Sequence, residues 1–185
     1  MDKKIPIIFS TVTGNAVKLA NAAAEVCEHI GPYNINYILN PGQGSLSLIA
    51  EDIISKYDTL ILVYWCDLGS ADADTIRLIG KLKGKKLIIL GTLGAAADSA
   101  HADKVRERVE ALASAENKVV AHYLCQGSID LARSKRKLTI PAGQFGHLNE
   151  EGFKRHLGTQ EHPTAEEIDG ARAAVKKALT EITEC

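Results

Sequence analysis

The sequence predicts an α/β protein built as a doubly wound parallel sheet of five strands with helices on both faces. Apolar runs recur at 5–9, 35–39, 59–65, 87–90 and 119–124. Most are nearly continuous in Ile, Leu and Val, as strands buried on both faces require. Between them lie segments with apolar residues at helical spacing. The strict alternation of the two kinds packs as a parallel sheet between helical layers.

Each element has its own signals. Ile5, Ile7, Ile8 and Phe9 form the first strand, and Ser10-Thr11-Val12-Thr13-Gly14-Asn15 leads into an Ala-rich helix over 16–27. Gly31-Pro32 is expected to end that helix, with a second strand at 35–39 leaving through Asn40-Pro41-Gly42. A helix over 46–55 places Leu46, Ile49, Ile53 and Ile54 on one face, ahead of the third strand at 59–65. A helix over 71–82 turns Ile76, Leu78, Ile79 and Leu82 inward, and Lys83-Gly84-Lys85-Lys86 puts cations at its C-terminal end, where the helix dipole favours them. The fourth strand, 87–90, is followed by a turn and a helix over 99–115 with Val105, Val109 and Leu112 inward, then by the fifth strand. The last helix, 163–182, opens with a capping box of Thr164 and Glu167.

The 185 residues form a single domain, with a long insertion at about 127–163 before the last helix. Its helical hints lie around Leu131 and Phe153, and it holds the basic run Arg133, Lys135, Arg136 and Lys137. A connection this long is either a functional segment or a tolerated surface insertion, and the basic run is either a solvated face or a partner contact.

With 22 Lys and Arg against 23 Asp and Glu, the net charge of −1 argues against a nucleic-acid or membrane-surface protein. The four cysteines, Cys27, Cys66, Cys125 and Cys185, form no C-x-x-C pair, which fits a reduced, cytoplasmic protein. Neither a signal peptide nor an apolar run of about 18 residues is present, so membrane insertion is not expected. The six histidines show no metal-ligand spacing, and neither a nucleophile elbow nor a P-loop occurs. No catalytic residue and no metal site are assigned.

The turn at 10–15 is the most informative motif. A helix N-terminus presents free N–H groups and a positive dipole end, so it attracts an anion. Thr11 and Thr13 add hydroxyls, and Gly14 permits close backbone approach. With no Lys or Arg in the turn, the site suits a phosphate monoester that is held rather than transferred. Thr11-Val12-Thr13-Gly14-Asn15 resembles the flavodoxin pattern Ser/Thr-x-Thr-Gly-Asn-Thr, which in that family holds the phosphate of FMN. Ala16 stands where the last threonine is usual.

The resemblance implies strand order 2-1-3-4-5, with ligand loops beyond the carboxyl ends of strands one, three and four. The candidate FMN-binding residues are therefore Ser10, Thr11, Val12, Thr13, Gly14, Asn15 and Ala16, then Trp65, Cys66, Asp67, Leu68 and Gly69, then Thr92, Leu93, Gly94 and Ala95. Flavodoxins commonly flank the flavin ring with a Trp-Gly pair and a tyrosine. Here Leu68-Gly69 falls at the Trp-Gly place, Trp65 lies three residues earlier, and the fourth loop has no aromatic residue. Each lost stacking pair weakens ring binding by about 1 kcal/mol. Gly69 corresponds to the glycine whose carbonyl, in the family, turns toward the flavin N5–H. Cys66 has no adjacent His or Lys to activate it.

The resemblance implies an FMN-binding electron-transfer protein working with a redox partner, an oxidoreductase. The modest charge implies a partner recognised less by bulk charge than the partners of acidic flavodoxins. An FMN-dependent NAD(P)H or quinone reductase is one alternative. A flavin-free interaction module or reductase accessory protein, similar to those of bilirubin-reducing systems, is another.

Overall fold

The computed structural model describes residues 4–40 and 45–184. The Pro41-Gly42 exit, Cys185 and the first three residues lie outside the described residues. Strands β1 (Ile5–Phe9), β2 (His29–Asn34), β3 (Thr59–Asp67), β5 (Lys86–Leu93) and β6 (Lys118–Gln126) form a parallel sheet in the order β2-β1-β3-β5-β6. This is the predicted order. The two-residue strand β4 (Ser70–Ala71) folds back antiparallel on the end of β3.

Among the described residues there are seven helices: α1 (Asn15–Ala24), α2 (Leu48–Lys56), α3 (Ala73–Ile79), α4 (Ala100–Ser114), α5 (Leu131–Leu138), α6 (Glu150–Leu157) and α7 (Ala165–Glu184). Alternate strand residues feed two cores. Ile7, Ile61, Val63, Ile88 and Leu90 pack under Ala16, Leu19, Ala20 and Ala23 of α1 and Ala171 and Val175 of α7. Ile8, Leu60, Leu62, Tyr64, Leu87 and Ile89 pack under Ala50 and Ile53 of α2, Leu78 of α3 and Val105 and Val109 of α4. Because both faces are covered, the strands need no polar alternation.

The second strand lies earlier than predicted. The first helix ends at Ala24, the chain turns, and β2 starts at His29, while Ile35–Tyr37 is a 3-10 turn. Gly31-Pro32 therefore lies within a strand rather than ending a helix. It is tolerated because β2 is an edge strand and the pairing register with β1 shifts there. At such a position a missing N–H leaves the ladder intact. Two predicted inward residues face out: Ile49 is 57% and Leu112 43% exposed. Both lie at the margin of an apolar stripe whose centre, Ala50 with Ile53 and Val105 with Val109, is buried. The capping box forms as predicted, with the Glu167 N–H donating to Thr164 Oγ1 at 3.2 Å and the Thr164 N–H donating to Glu167 Oε2 at 2.7 Å.

Candidate functional site

The turn after β1 sits on rigid support. Ser10 is buried and points away from solvent, its hydroxyl donating to Asp72 Oδ1 at 2.9 Å. Asp72 in turn caps α3 through the Thr75 N–H and accepts the Thr75 hydroxyl at 2.8 Å. Gly14 takes the left-handed conformation at φ 86°, and its N–H donates to Thr11 Oγ1 at 3.0 Å. Asn15 is buried and fully engaged: its amide group donates to Thr13 Oγ1 at 2.9 Å and to the Ser128 carbonyl at 2.8 Å. Its oxygen accepts the Ser128 hydroxyl at 2.9 Å. This latch ties the turn to the segment that follows β6. Ala16 is fully buried against the sheet, so its side chain lies in the core rather than in the loop cluster.

The end of α1 differs from the other helix starts. Ser47, Asp72, Ser99, Asp130, Asn149 and Thr164 each accept a backbone N–H at the start of their helices. The start of α1 has no side-chain cap and no acidic residue in its first turn. Orphan helix-start N–H groups without a side-chain partner are the physical requirement for holding an anion.

This end opens on a recess of about 300 Å³ lined by Val12, Thr13, Asn15, Trp65, Cys66, Asp67, Leu68, Thr92, Leu93 and Gly94. Ten predicted residues from three separate loops thus meet at one cavity. The recess is completed by residues the sequence reading did not assign to it: Ser128, Ile129 and Asp130, with Arg133, Ser134 and Lys137 of α5 and His156 of α6. The insertion is therefore two helices standing over the loop face. The helical hints around Leu131 and Phe153 fall on these two helices, and the basic run lies on the first of them. Gly69 and Ala95 lie outside this recess and line an adjoining groove of about 920 Å³.

A second recess, of about 270 Å³, lies beyond Trp65, Val12 and Asp67, which line both. It includes Ser10 and Thr11 but also Asp72 and Asp74. Asp67 lines both recesses; the second adds Asp72 and Asp74 with no cation, which disfavours an anion, whereas the first adds Asp130 but also Arg133 and Lys137, so its charges balance. Charge thus assigns an anionic group to the Thr13 and Asn15 side.

The loop after β3 is a tight hairpin. Cys66 pairs with Ala71 and Asp67 with Ser70, leaving Leu68 at φ 47° and Gly69 at φ 80° as the two turn residues. Positive φ at both positions matches the twist of such a hairpin. Leu68 is 93% exposed. The Gly69 carbonyl accepts from Arg108 Nη1 at 3.0 Å, which holds the tip against α4. Burial pushes the Cys66 thiol pKa up, so it is no ready nucleophile. The more deeply buried Cys125 is pushed up to about 12 by burial and by Glu167. On β5, a Cβ at Gly91 would come within 2.5 Å of the Tyr64 ring, which fills that space. Tyr64 Oη is 3.0 Å from His122 Nε2, and His122 Nδ1 is 3.1 Å from Glu110 Oε1.

At the far end of the recess, Ser134 Oγ donates to the Asp130 carbonyl at 2.8 Å and lies 2.8 Å from His156 Nδ1. With its single hydrogen used, Ser134 accepts from the imidazole, leaving Nε2 as the free acceptor. Burial lowers the His156 pKa, as do the charges of Lys137 and Arg155, so the ring is neutral near pH 7.

An open parallel sheet with a phosphate-type turn after β1 and ligand loops at its carboxyl edge defines a flavodoxin-like domain. The chain belongs to the family of the flavodoxin domain, whose model matches residues 6–176. It is 23% identical over 175 residues to the flavodoxin-like domain-containing protein BilS of Clostridioides difficile, with 94% of each chain covered. It is 28% identical over 132 residues to the protein of the same name from Clostridium symbiosum, covering 68% of this chain and 69% of that one. In fold it matches the Fusobacterium nucleatum flavodoxin solved bound to flavin mononucleotide, with a TM-score of 0.55 and 14% identity over 97% of this chain and 98% of that one. No helix among the described residues is long and apolar enough to cross a membrane.

Proposed function

We propose that the chain binds FMN and passes electrons to or from a partner oxidoreductase. The observation that carries this is the uncapped start of α1, beside Thr13, opening onto a recess whose far wall is Trp65, Leu68, Thr92 and Leu93. The first-turn amides and the Thr13 hydroxyl would hold the phosphate, and Arg133 and Lys137 would add favourable charge. Trp65 and the leucines would bound the ring and exclude water from it, while the small residues Gly94 and Ala95 leave backbone groups open to its polar edge. When bound, FMN supplies reversible one- and two-electron transfer, and the protein's part is position and electrostatics. Family membership and the FMN-bound flavodoxin of the same fold support the reading.

The test is purification and titration. The protein is expected to be yellow, or to quench the fluorescence of added FMN at micromolar concentration with one-to-one stoichiometry. A colourless protein that takes up no FMN overturns the reading and leaves an interaction module.

A reductase is the second reading, favoured by the open groove beside Leu93 and Gly94 and by the absence of an aromatic side chain from residues 91–98. Steady NADH oxidation by the purified protein would support it. Reduction only through another flavoprotein would support the carrier.

A further inference from the structure

We infer that the groove beside the FMN recess is the docking surface for a partner protein, and that the partner presents an acidic segment to it. The groove continues from the recess through Cys66, Leu68, Leu93 and Gly94. Ala95, Ala96 and Ile129 give its lining an apolar part. Its walls carry Arg108 of α4, Lys137 of α5 and Arg155 of α6, with His101 and His156 between them. Among the described residues no Asp or Glu lines it. In a chain with almost equal numbers of acidic and basic residues, three cations from three different helices converging on one groove is a local departure from the mean. Arg155 pairs with Glu151 at 2.9 Å, but both are well exposed, and such a pair exchanges readily for another carboxylate.

Leu68 is an independent observation pointing the same way. A leucine at φ 47° occupies a left-handed conformation disfavoured for any side chain with a Cβ. Its position leaves it 93% exposed at the lip of the groove, which gains nothing for the fold. An apolar tip ringed by cations is the composition of a protein interface with a small dry centre and a charged rim. A partner seated there would stand at the mouth of the recess, where a flavin edge is reachable and steering by opposite charge speeds encounter.

The inference rests on the FMN reading, and its test separates the two. The probe is a gold surface carrying a carboxylate-terminated alkanethiol monolayer, read by surface plasmon resonance for adsorption and by voltammetry for electron exchange. At low ionic strength the protein is expected to adsorb. K137E/R155E is expected to weaken adsorption at least tenfold, and K137Q/R155Q, the less disruptive variant, at least threefold. K176E/K177E, the same change in net charge placed on α7 outside the groove, is expected to change it less than twofold. Equal losses in the groove and α7 variants overturn the docking inference, as does no loss in either. Binding to phosphatidylserine vesicles that K137E/R155E abolishes, in the absence of monolayer adsorption, overturns it in favour of a membrane. Groove-dependent adsorption without a voltammetric wave, from protein incubated with FMN, leaves the surface in place and overturns the FMN reading instead.

Discussion

The two ends of the candidate site are held in different ways. At the phosphate end, Thr11, Gly14 and Asn15 are fixed by short-range bonds within the turn, by Ser10 bonded to buried Asp72, and by the Ser128 latch. At the proposed ring end, exposed Leu68 and buried Gly69 form a hairpin tip steadied by one arginine from α4, and the opposite wall comes from α5 and α6 of the insertion. The first end is an extension of the core, while the second is assembled from distant surface pieces.

The sharpest way to break this comparison is to place a charge at the phosphate end. Thr13→Asp puts a carboxylate where the phosphate would bind. Like-charge repulsion of about 3–4 kcal/mol at a partly screened site corresponds to a loss of roughly 100-fold or more in FMN affinity. The same carboxylate sits at the start of α1, where it complements the helix dipole, so stability should rise by about 0.3–1 kcal/mol. FMN titration and urea unfolding measured together check the opposite signs. Parallel losses in both would show that Thr13 is structural only.

Asn15→Ala is expected to cost about 1–3 kcal/mol, because it removes three bonds at once and leaves the half-buried Ser128 carbonyl and hydroxyl unmatched. Equilibrium unfolding measures it. A loss below about 0.5 kcal/mol would mean that the turn does not depend on the latch.

The same contrast explains what was legible in the sequence. The phosphate end is local: strand, turn and helix lie within Ile5–Ala24, so the Thr-x-Thr-Gly-Asn spacing already carries its geometry. The central strands followed from uninterrupted apolar runs such as 59–65 and 87–90, and their order from the resemblance to flavodoxins. The second strand was misplaced because Gly31-Pro32 reads as a terminator in isolation, and only the edge position of β2 and its register shift make it a strand. The Arg108 bond to Gly69 and the placing of His156 over the recess depend on contacts between residues far apart in the chain. No local pattern encodes them, and the basic run in the insertion hinted only at its chemistry.

Below the ring end lies a titratable support, and pH sharpens the comparison there. Burial lowers the His122 pKa from 6.5 despite the opposing pull of Glu110, so the folded protein keeps a neutral imidazole that the unfolded chain protonates. The unfolded state binds more protons below about pH 6.5, so stability is full above that pH and falls as pH drops toward the folded value, by at most about 1.4 kcal/mol per pH unit. Glu167 behaves differently. Its burial would raise the pKa, but the Thr164 N–H, His162 and the Gln126 N–H outweigh this and lower it below 4.5. Its contribution is present above pH 4.5 and is lost only in more acid solution. Urea midpoints for the parent and His122→Gln between pH 7.5 and 5 should converge as pH falls. A constant gap would place the acid sensitivity elsewhere.

The smallest expected effects lie at the hairpin tip, and they carry opposite signs. Arg108→Gln takes the donor away from the carbonyl of Gly69, a buried residue, and should cost about 1 kcal/mol. Leu68→Asn replaces a residue disfavoured at φ 47° with one that tolerates it, and removes no buried contact because Leu68 is 93% exposed. Stability should therefore rise by about 0.5–1 kcal/mol. If Leu68 is retained for docking, the more stable Leu68→Asn protein should exchange electrons with its partner less efficiently while binding FMN with at most a modest loss. A gain in stability with unchanged partner exchange would mean that the strained leucine serves neither the fold nor the interface.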